Sequence, residues 1–418
     1  MSRAHVFGGA VGLLASAIVI SGCSGSAPRT VSSTSTSTSA SPSGSTAIRS
    51  TAPAGGGPGP ASSPVGASPS SGGSPATLVG PVGGPVPRGF KPYSATFVSP
   101  AEGWSLGDAP CASPPCTSVV RTLDGGASWR GIPAPRASIA LLNGTGAGLT
   151  TLRFANARDG WASGNALYAT HDGGGTWRRV PLGRSGSVIS GLGAGGGEVY
   201  ASVYGCPSQG GSHCSQTTRV YASPAGADRW APVSDTLNGG GLPRLVVVQG
   251  GDWYLPLPEG IYHGQGDAMA RRLPNPCPQY GAVSVTPALA VADADHLDAM
   301  CASGGAGGST EYQLYGTTDG GQHWNQAGPR SRQPSNLEGL ADNTHGVLLV
   351  ACSSGGSAIL RSTNDGTTLS SVPINAPSGG IPWSELGFTT STHAIAVLQA
   401  STLYLTHDSG QTWSPVRF

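Results

Sequence analysis

From about residue 93 onward, short apolar runs alternate with polar, glycine-rich turns. The runs are four to six residues long and rich in Tyr, Leu, Ile and Ala, as in Ala166–Thr170, Tyr312–Thr317 and Leu403–Thr406. Short runs of this composition between turn residues are typical of β-strands. The pattern predicts an all-β domain built from many short strands.

Each of these runs leads into the same phrase, Thr/Ser-x-Asp-x-Gly-x-Thr/Ser-Trp. The Asp can accept hydrogen bonds from backbone N–H groups a few residues later, and the Gly suits a position with φ > 0. The phrase therefore predicts a tight turn between two strands, with the Trp directed into a core. The turn aspartates are Asp124, Asp172, Asp319, Asp408 and, in a worn copy, Asp365; the tryptophans are Trp129, Trp177, Trp324 and Trp413.

A second phrase describes the other half of the repeating unit. An apolar strand, a turn ending in Gly-Trp and a second strand are shared by Phe97–Gly107 and Phe154–Gly164. With weaker copies, the units lie near 95–135, 149–182, 187–233, 243–274, 282–328, 335–375 and 382–418. A mean unit of about 47 residues suits the four-stranded blades of a single β-propeller. Seven blades are predicted, and six or eight stay open because units three and four are weak copies.

Closure of the ring has two alternatives. The first and last units both look complete, which favours closure by packing blade one on blade seven. Residues 79–92 offer an added strand as the other alternative.

The turn phrase resembles the Asp-box, or BNR, repeat of β-propellers, in which it joins the third and fourth strands of a blade. A calcium loop is the functional alternative, but one carboxylate for each turn is too few for the roughly six to eight oxygens that calcium takes. We therefore expect the Asp and Trp residues to be structural, and we expect no metal and no cofactor.

The two phrases together are most similar to the photosystem II stability/assembly factor-like propellers, over about residues 94–418. That resemblance implies non-enzymatic binding of a protein partner. Sialidase-like propellers share the Asp-box, but Arg130-Gly-Ile132-Pro133 interrupts their Arg-Ile-Pro phrase and Glu is scarce. Asp-box xyloglucanases use two propellers, and this chain has room for one.

The first 22 residues have the pattern of a lipoprotein signal peptide. The apolar run Val6–Ile20 is too short for a membrane span and suits the core of a signal. Ile20-Ser21-Gly22-Cys23 resembles the bacterial lipobox, which implies cleavage before Cys23 and its modification with acyl chains such as palmitate. An ordinary secretory signal is the alternative. The resemblance predicts a chain anchored at the extracytoplasmic face of the cell membrane.

The next segment is dominated by Ser, Thr, Pro, Gly and Ala and lacks aromatic residues up to position 88. Such a segment buries too little apolar area to fold. We predict that residues 23–92 comprise the lipidated Cys and a disordered tether, and that 93–418 form the propeller. Lys91 is the only lysine and Gly occurs 67 times, which favours a GC-rich bacterial source such as an actinobacterium. A net charge of +1 with 10% charged residues argues against a nucleic-acid partner.

The cysteines favour an oxidising compartment. Eight are present, and seven remain once Cys23 is assigned to lipid. Cys111 with Cys116, and Cys206 with Cys214, each bracket a short loop, and both pairs are predicted disulfides. A zinc site from Cys206, His213 and Cys214 is the alternative for the second pair.

Three further cysteines leave one thiol over. Cys277 lies in the link between units four and five, while Cys301 and Cys352 end the second strands of units five and six. Cys277 can reach Cys301 or Cys352. We favour Cys301, which leaves Cys352 free.

Candidate ligand residues follow from the fold. Propellers usually bind ligands around the central channel, on the face that carries the second-to-third-strand loops and the links between blades. A solvated loop or strand residue is the alternative interpretation of each candidate. The candidates on this face or on inner strands beside it are Arg153, Tyr204, Glu259, Tyr280, Arg332, Trp383 and Glu385.

Two functions are carried forward. The first is a monomeric, lipid-anchored propeller that binds an envelope protein or glycan without catalysis. The second is a diverged, sialidase-like hydrolase acting on glycans, which needs two carboxylates at a defined separation. Converging carboxylates or arginines at the channel mouth favour the hydrolase, and a flat, glycine-rich mouth favours binding. A purely structural envelope protein is a third interpretation. The sequence has no P-loop, His-Glu-x-x-His or Gly-x-Ser-x-Gly motif.

Overall fold

The computed structural model describes residues 80–140, 148–205, 217–238, 244–248, 250–279, 285–303, 310–333, 336–353 and 356–418. Its secondary structure within these ranges is β-strand, with no α-helix, which confirms the all-β prediction. Within the same ranges, no helix is long and apolar enough to cross a membrane. The predictions for the signal peptide, Cys23 and the tether up to residue 79 lie outside the described residues, as do those for Cys206, Cys214 and Tyr280.

Seven antiparallel sheets form the blades of one β-propeller, as the repeat count predicted. Blade 1 contains β1 (Lys91–Phe97), β2 (Gly103–Asp108), β3 (Thr117–Thr122) and β4 (Arg130–Ile132). Blade 2 contains β5 (Leu149–Phe154), β6 (Gly160–Gly164), β7 (Leu167–Thr170) and β8 (Arg178–Val180). Blade 3 contains β9 (Val188–Gly195), β10 (Glu198–Gly205), β11 (Thr217–Pro224), β12 (Ala231–Pro232) and β13 (Leu237–Asn238). Blade 4 contains β14 (Val246–Val247), β15 (Asp252–Leu257), β16 (Gly260–Gln265) and β17 (Arg271–Leu273).

The remaining three blades follow the same order along the chain. Blade 5 contains β18 (Ala288–Val291), β19 (Leu297–Ser303), β20 (Thr310–Thr317) and β21 (Asn325–Gln333). Blade 6 contains β22 (Asn336–Asp342), β23 (Leu348–Ser353), β24 (Ser357–Ser362) and β25 (Ser370–Val372). Blade 7 contains β26 (Trp383–Phe388), β27 (Ala394–Leu398), β28 (Thr402–Thr406) and β29 (Ser414–Pro415). In each blade the strands pair in sequence order, and β13 additionally pairs with β11.

The hydrophobic core lies between neighbouring blades. Trp104 of blade 1 stacks on Phe154 of blade 2 with ring centroids 3.9 Å apart. Ala95 of blade 1 packs in one cluster with Ile395 and Leu403 of blade 7. Because side chains alternate between the two faces of a strand, each sheet supplies apolar residues to both of its neighbours. Burial in these seams is therefore what holds the ring together.

The first and last blades are both complete, so the ring closes by packing rather than by a shared strand. The segment before β1 takes another place, since Gly84 forms an antiparallel bridge with Gly131 on the outer strand of blade 1. Residues near 84 therefore cover the outer edge of blade 1 and do not complete a blade at the closing seam.

The repeated phrase forms the predicted turn between the third and fourth strands. In blade 2, Asp172 Oδ1 accepts hydrogen bonds from the Thr170 hydroxyl at 2.8 Å and from the Thr176 N–H at 2.9 Å. Asp172 Oδ2 accepts from the Thr176 hydroxyl at 2.8 Å. Gly173 and Gly174 have φ of 74° and 94°, which only glycine adopts freely. The turn's own donors therefore engage both carboxylate oxygens of Asp172.

The worn copy in blade 6 corrects one assignment. Asn364, not Asp365, holds this turn, because its Oδ1 accepts from the Ser362 hydroxyl at 2.8 Å and from the Thr368 N–H at 3.0 Å. Ser362-x-Asn364-x-Gly366-x-Thr368 keeps the spacing of the other copies with Asn at the Asp position, and Asp365 takes a positive φ of 51°. An amide oxygen accepts the same hydrogen bonds as a carboxylate oxygen, so the turn persists without the charge.

Candidate functional site

One position of the innermost strand can be matched across all seven blades. In six blades it lies four residues before a recurring backbone bond, such as Val98 N to Glu102 O, Val248 N to Asp252 O and Thr389 N to His393 O, and in blade 3 the β-bulge identifies it. In five blades a β-bulge comes directly before it. From blade 1 to blade 7 the equivalent residues are Ser94, Thr151, Gly191, Arg244, Ala288, Gly339 and Glu385.

Glu385 connects three blades across the closing seam. Its Oε1 accepts a hydrogen bond from the Ser94 hydroxyl at 2.9 Å, and its Oε2 accepts from the Ala95 N–H at 2.6 Å, both in blade 1. Arg153 of blade 2 forms an ion pair with Oε1 and donates to the Leu152 carbonyl. We call Ser94, Arg153 and Glu385 the closing clasp. It joins residues that no strand pairing brings together.

Glu338 makes a similar connection between blades 6 and 7. It follows Leu337 at the bulge of β22. Its Oε1 accepts from the Ser353 hydroxyl, and its Oε2 accepts from the Trp383 N–H at 2.7 Å. Burial raises the pKa of the Glu338 carboxyl. Both glutamates of the channel region therefore accept hydrogen bonds from a neighbouring blade's backbone.

Arg244 is the counterpart of Glu385 in blade 4. Its side chain is open to solvent, yet desolvation lowers the pKa of its guanidinium, while the charges of Glu385 and Glu338 oppose that shift. The two observations agree for a residue at the channel, which inner strands surround while solvent still enters. In the described part of the chain, Arg244 makes no hydrogen bond and no ion pair.

Disulfides stabilise the face on which these residues lie. Cys111 pairs with Cys116 in the loop between β2 and β3. Cys277, in the link from blade 4 to blade 5, pairs with Cys301 near the end of β19, with Cα atoms 5.3 Å apart. A link and a second-strand end therefore lie on one face, as expected for a propeller. Both predicted pairings are confirmed, and Cys352 is buried and forms no disulfide within the described residues.

The remaining predicted site residues do not form one cluster. Tyr204 is half-buried near the end of β10, and Glu259 lies in the turn after β15, where the Tyr262 hydroxyl donates to it at 3.5 Å. Arg332 belongs to β21 and pairs with Glu311 in the ladder. Trp383 is 1% exposed and donates its ring N–H to the Cys352 carbonyl, so its ring packs in the core. Among the predicted residues whose side chains the structure describes, Arg153 and Glu385 are the two brought together.

Arg244 and Glu338 were missed by the sequence argument, although a signal exists. In six blades the residue after the matched position is leucine, and in blade 1 it is Ala95. Blade 4 matches the family phrases poorly, so Arg244 was not placed on an inner strand. The leucines are Leu152, Leu192, Leu245, Leu289, Leu340 and Leu386.

The opposite face carries a buried acidic pair between blades 5 and 6. Burial raises the pKa of both Asp298 and Asp342, and the two carboxyl groups interact with each other. Asp365 adds a third negative charge nearby. Among the described residues, no group of three or more His, Cys, Asp or Glu side chains is arranged to hold a metal ion.

Comparison with known proteins shows the fold. No protein-family model and no curated protein matches the chain. YCF48 bound to a D1 peptide matches with a TM-score of 0.50 and 15% identity, over 78% of this chain and 95% of that one. YCF48 from Cyanidioschyzon merolae matches with a TM-score of 0.52 and 13% identity, over 78% and 98%. An ancestral GH74 enzyme matches with a TM-score of 0.52 and 14% identity, over 81% of this chain and 47% of that one. At such identities, the likeness is one of architecture.

Proposed function

We propose that this protein is a lipid-anchored, extracytoplasmic propeller that binds a protein partner at its channel mouth without catalysis. The partner class is supported by the structural likeness to YCF48, which has been solved with a bound D1 peptide. The anchor is supported by the lipobox pattern that ends at Cys23 and by the long Ser/Thr/Pro/Gly segment after it.

The proposal of binding without catalysis rests on the hydrogen bonds that the carboxylates of Glu338 and Glu385 already accept. Converging charges were expected to favour a hydrolase, and Glu338 and Glu385 do lie near Arg153 and Arg244. However, Glu385 accepts from Ser94, Ala95 and Arg153, and Glu338 accepts from Ser353 and Trp383. A glycosidase needs one carboxyl to protonate the leaving group and another to attack or activate water. Carboxylates that already hold neighbouring blades together are poorly placed for either task.

The partner test uses site-specific photocrosslinking in the full chain. A photoreactive residue replaces Ser113, which is exposed inside the Cys111–Cys116 loop at the channel face. The matched control replaces Leu123, which is 43% exposed in the turn of the same blade on the opposite face. We expect a discrete protein adduct from position 113 in intact cells and none from position 123.

Two results would contradict the proposal. Equal adducts from both positions would show contact without a preferred face. Turnover of a β-glucan or sialoside by the purified chain, abolished by Glu338→Gln or Glu385→Gln in a folded variant, would establish the hydrolase instead.

A further inference from the structure

We propose that Arg244 is an anion-recognition residue of the channel, and that it takes a carboxylate group of the peptide partner. This inference rests on the proposed function, since it names the chemistry at the same channel mouth. The arginines of the protein differ in whether their guanidinium groups have partners.

The buried or partly buried arginines near the inner strands have partners, whereas Arg244 is exposed. Arg121 is 5% exposed, forms an ion pair with Glu102 and lies over the Trp104 ring, 5.3 Å from its centroid. Arg153 is ion-paired with Glu385. Arg244 lies among the same inner strands and, within the described residues, has no partner of this kind. A guanidinium carries five N–H donors, and those of Arg244 face solvent. Its donors are therefore available to a ligand.

The carboxylates that balance the charge of Arg244 do not use those donors. Glu338 and Glu385 act on Arg244 through their charges alone, beyond hydrogen-bond distance. Their oxygens accept instead from Ser353, Trp383, Ser94 and Ala95. Their charges oppose the lowering of the Arg244 pKa, while its N–H donors stay unused by them.

Space beside the clasp is consistent with a ligand. Gly387 lies two residues after Glu385 on the same inner strand, and no atom lies within 4 Å of the position that a Cβ would take there. The positions matched to Arg244 in the neighbouring blades 3 and 5 are Gly191 and Ala288. Leu245 packs where a Cβ on Gly191 would lie, so the open space is the one at Gly387.

The charges nearby also select the ligand. A planar carboxylate matches the guanidinium with two parallel hydrogen bonds. A dianion such as phosphate matches the guanidinium too, but the two glutamates repel it about twice as strongly as a monoanion. The site therefore favours a single carboxylate, as offered by a peptide C-terminus or an acidic side chain.

The alternative is that Arg244 only neutralises Glu338 and Glu385 and binds nothing. The two readings differ in whether the guanidinium N–H signals respond to a carboxylate. We would label the arginines of the full chain with ¹⁵N and titrate N-acetyl-triglycine against the side-chain N–H resonances. Triglycine amide capped at its N-terminus, a capped Gly-Asp-Gly amide, methyl glucuronide and inorganic phosphate complete the probe set.

We expect one arginine resonance to shift and saturate with N-acetyl-triglycine, and no shift with the neutral amide. Binding of the Gly-Asp-Gly amide in its place assigns the carboxylate to a side chain and supports the inference equally. In Arg244→Gln the Kd should rise at least about tenfold, as expected for loss of a charge-assisted pair. Arg229→Gln is the matched control, because Arg229 is exposed in the turn between β11 and β12 on the opposite face, and it should bind as wild type does.

Three outcomes of the titration overturn the inference. These are no saturable shift with either carboxylate peptide, unchanged affinity in Arg244→Gln, or a preference for phosphate or methyl glucuronide over the peptides. Crosslinking separates this failure from that of the proposed function. No adduct from position 113 contradicts the proposed function, whereas equal adducts in wild type and Arg244→Gln show that the propeller binds a protein that Arg244 does not recognise.

Discussion

The closing clasp makes Glu385→Gln the most informative single substitution. The change keeps the shape of the side chain but removes its charge and converts one acceptor oxygen into an NH₂ donor. Three donors point at the carboxylate: the Ser94 hydroxyl, the Ala95 N–H and the Arg153 guanidinium. An amide offers one oxygen to them, so at least one donor is left facing another donor.

The expected loss in the free energy of unfolding for Glu385→Gln depends on how deeply Arg153 and Glu385 are buried. Breaking a fully buried ion pair costs about 3–5 kcal/mol, because a charge is left without its partner. The Arg153 side chain is 31% exposed and that of Glu385 is 11% exposed, so channel water compensates part of the loss. We expect Glu385→Gln to lower the free energy of unfolding by about 2–3 kcal/mol. For a domain of this size, that corresponds to roughly 3–4 °C in Tm.

The place where amide exchange accelerates distinguishes loss of the closing clasp from a general loss of stability. Amide hydrogen exchange should accelerate at Ala95 and in the adjoining strands β1 and β26, because the seam between blades 7 and 1 opens locally. Glu102→Gln is the matched control, since it breaks the Arg121–Glu102 pair inside blade 1 and should leave the Ala95 amide protected. A double-mutant cycle with Arg153→Gln should give a coupling energy of at least about 1 kcal/mol. A Glu385→Gln variant within about 0.5 kcal/mol of wild type, with unchanged Ala95 protection, would refute this reasoning.

Three further predictions test the rest of the description. The raised pKa values of Asp298 and Asp342 mean that the folded state holds protons that the unfolded chain releases near its ordinary carboxyl range. The contribution of this pair to stability is therefore complete at acidic pH and is lost as pH rises through neutrality, by roughly 2–4 kcal/mol. Urea unfolding at a series of pH values should show this loss, and Asp342→Asn should flatten the plot of stability against pH. Trp161→Ala should cost about 3–5 kcal/mol because Trp161 is fully buried, whereas Trp177→Ala should cost clearly less because Trp177 is only half-buried; equal shifts in the urea midpoint would contradict the burial argument. Cys23→Ser should move the chain from the membrane fraction to the aqueous fraction of the cell extract, and unchanged partitioning would refute the lipid anchor.

The repeat was readable from sequence because its causes are local. In the Asp turn, Thr170, Asp172 and Thr176 satisfy one another within seven residues, so their spacing alone predicts the geometry. The disulfide between Cys111 and Cys116 is local in the same sense. The turn of blade 6 follows the same spacing. Asn364 stands two residues after Ser362 and four before Thr368, so the spacing identifies the turn residue, and the assignment to Asp365 went wrong by following residue type instead.

Channel residues were only partly predictable. Arg153 and Glu385 were assigned to inner strands from the neighbouring phrases, and the structure pairs them. Glu338 was not nominated. Arg244 lies just before β14, an inner strand of two residues, in a blade whose sequence matches neither repeated phrase. Trp383 was nominated as a ligand-binding residue, but its ring is buried in the core and donates its N–H to the Cys352 carbonyl. Which side of a strand faces a neighbour depends on the bulge, and the bulge is not visible in the sequence.

The sequence by itself determined the repeating unit, favoured seven copies of it, and predicted the disulfides that local spacing or a shared face allows. These follow from alternation along a strand and from hydrogen bonds that close within a turn. The tertiary structure alone decided that Glu385 meets an arginine 232 positions away and that Arg244 is left without a partner among the described residues. The physical reason is ring closure. It brings equivalent positions of all seven inner strands to one channel, where burial and charge act between side chains that no local rule connects.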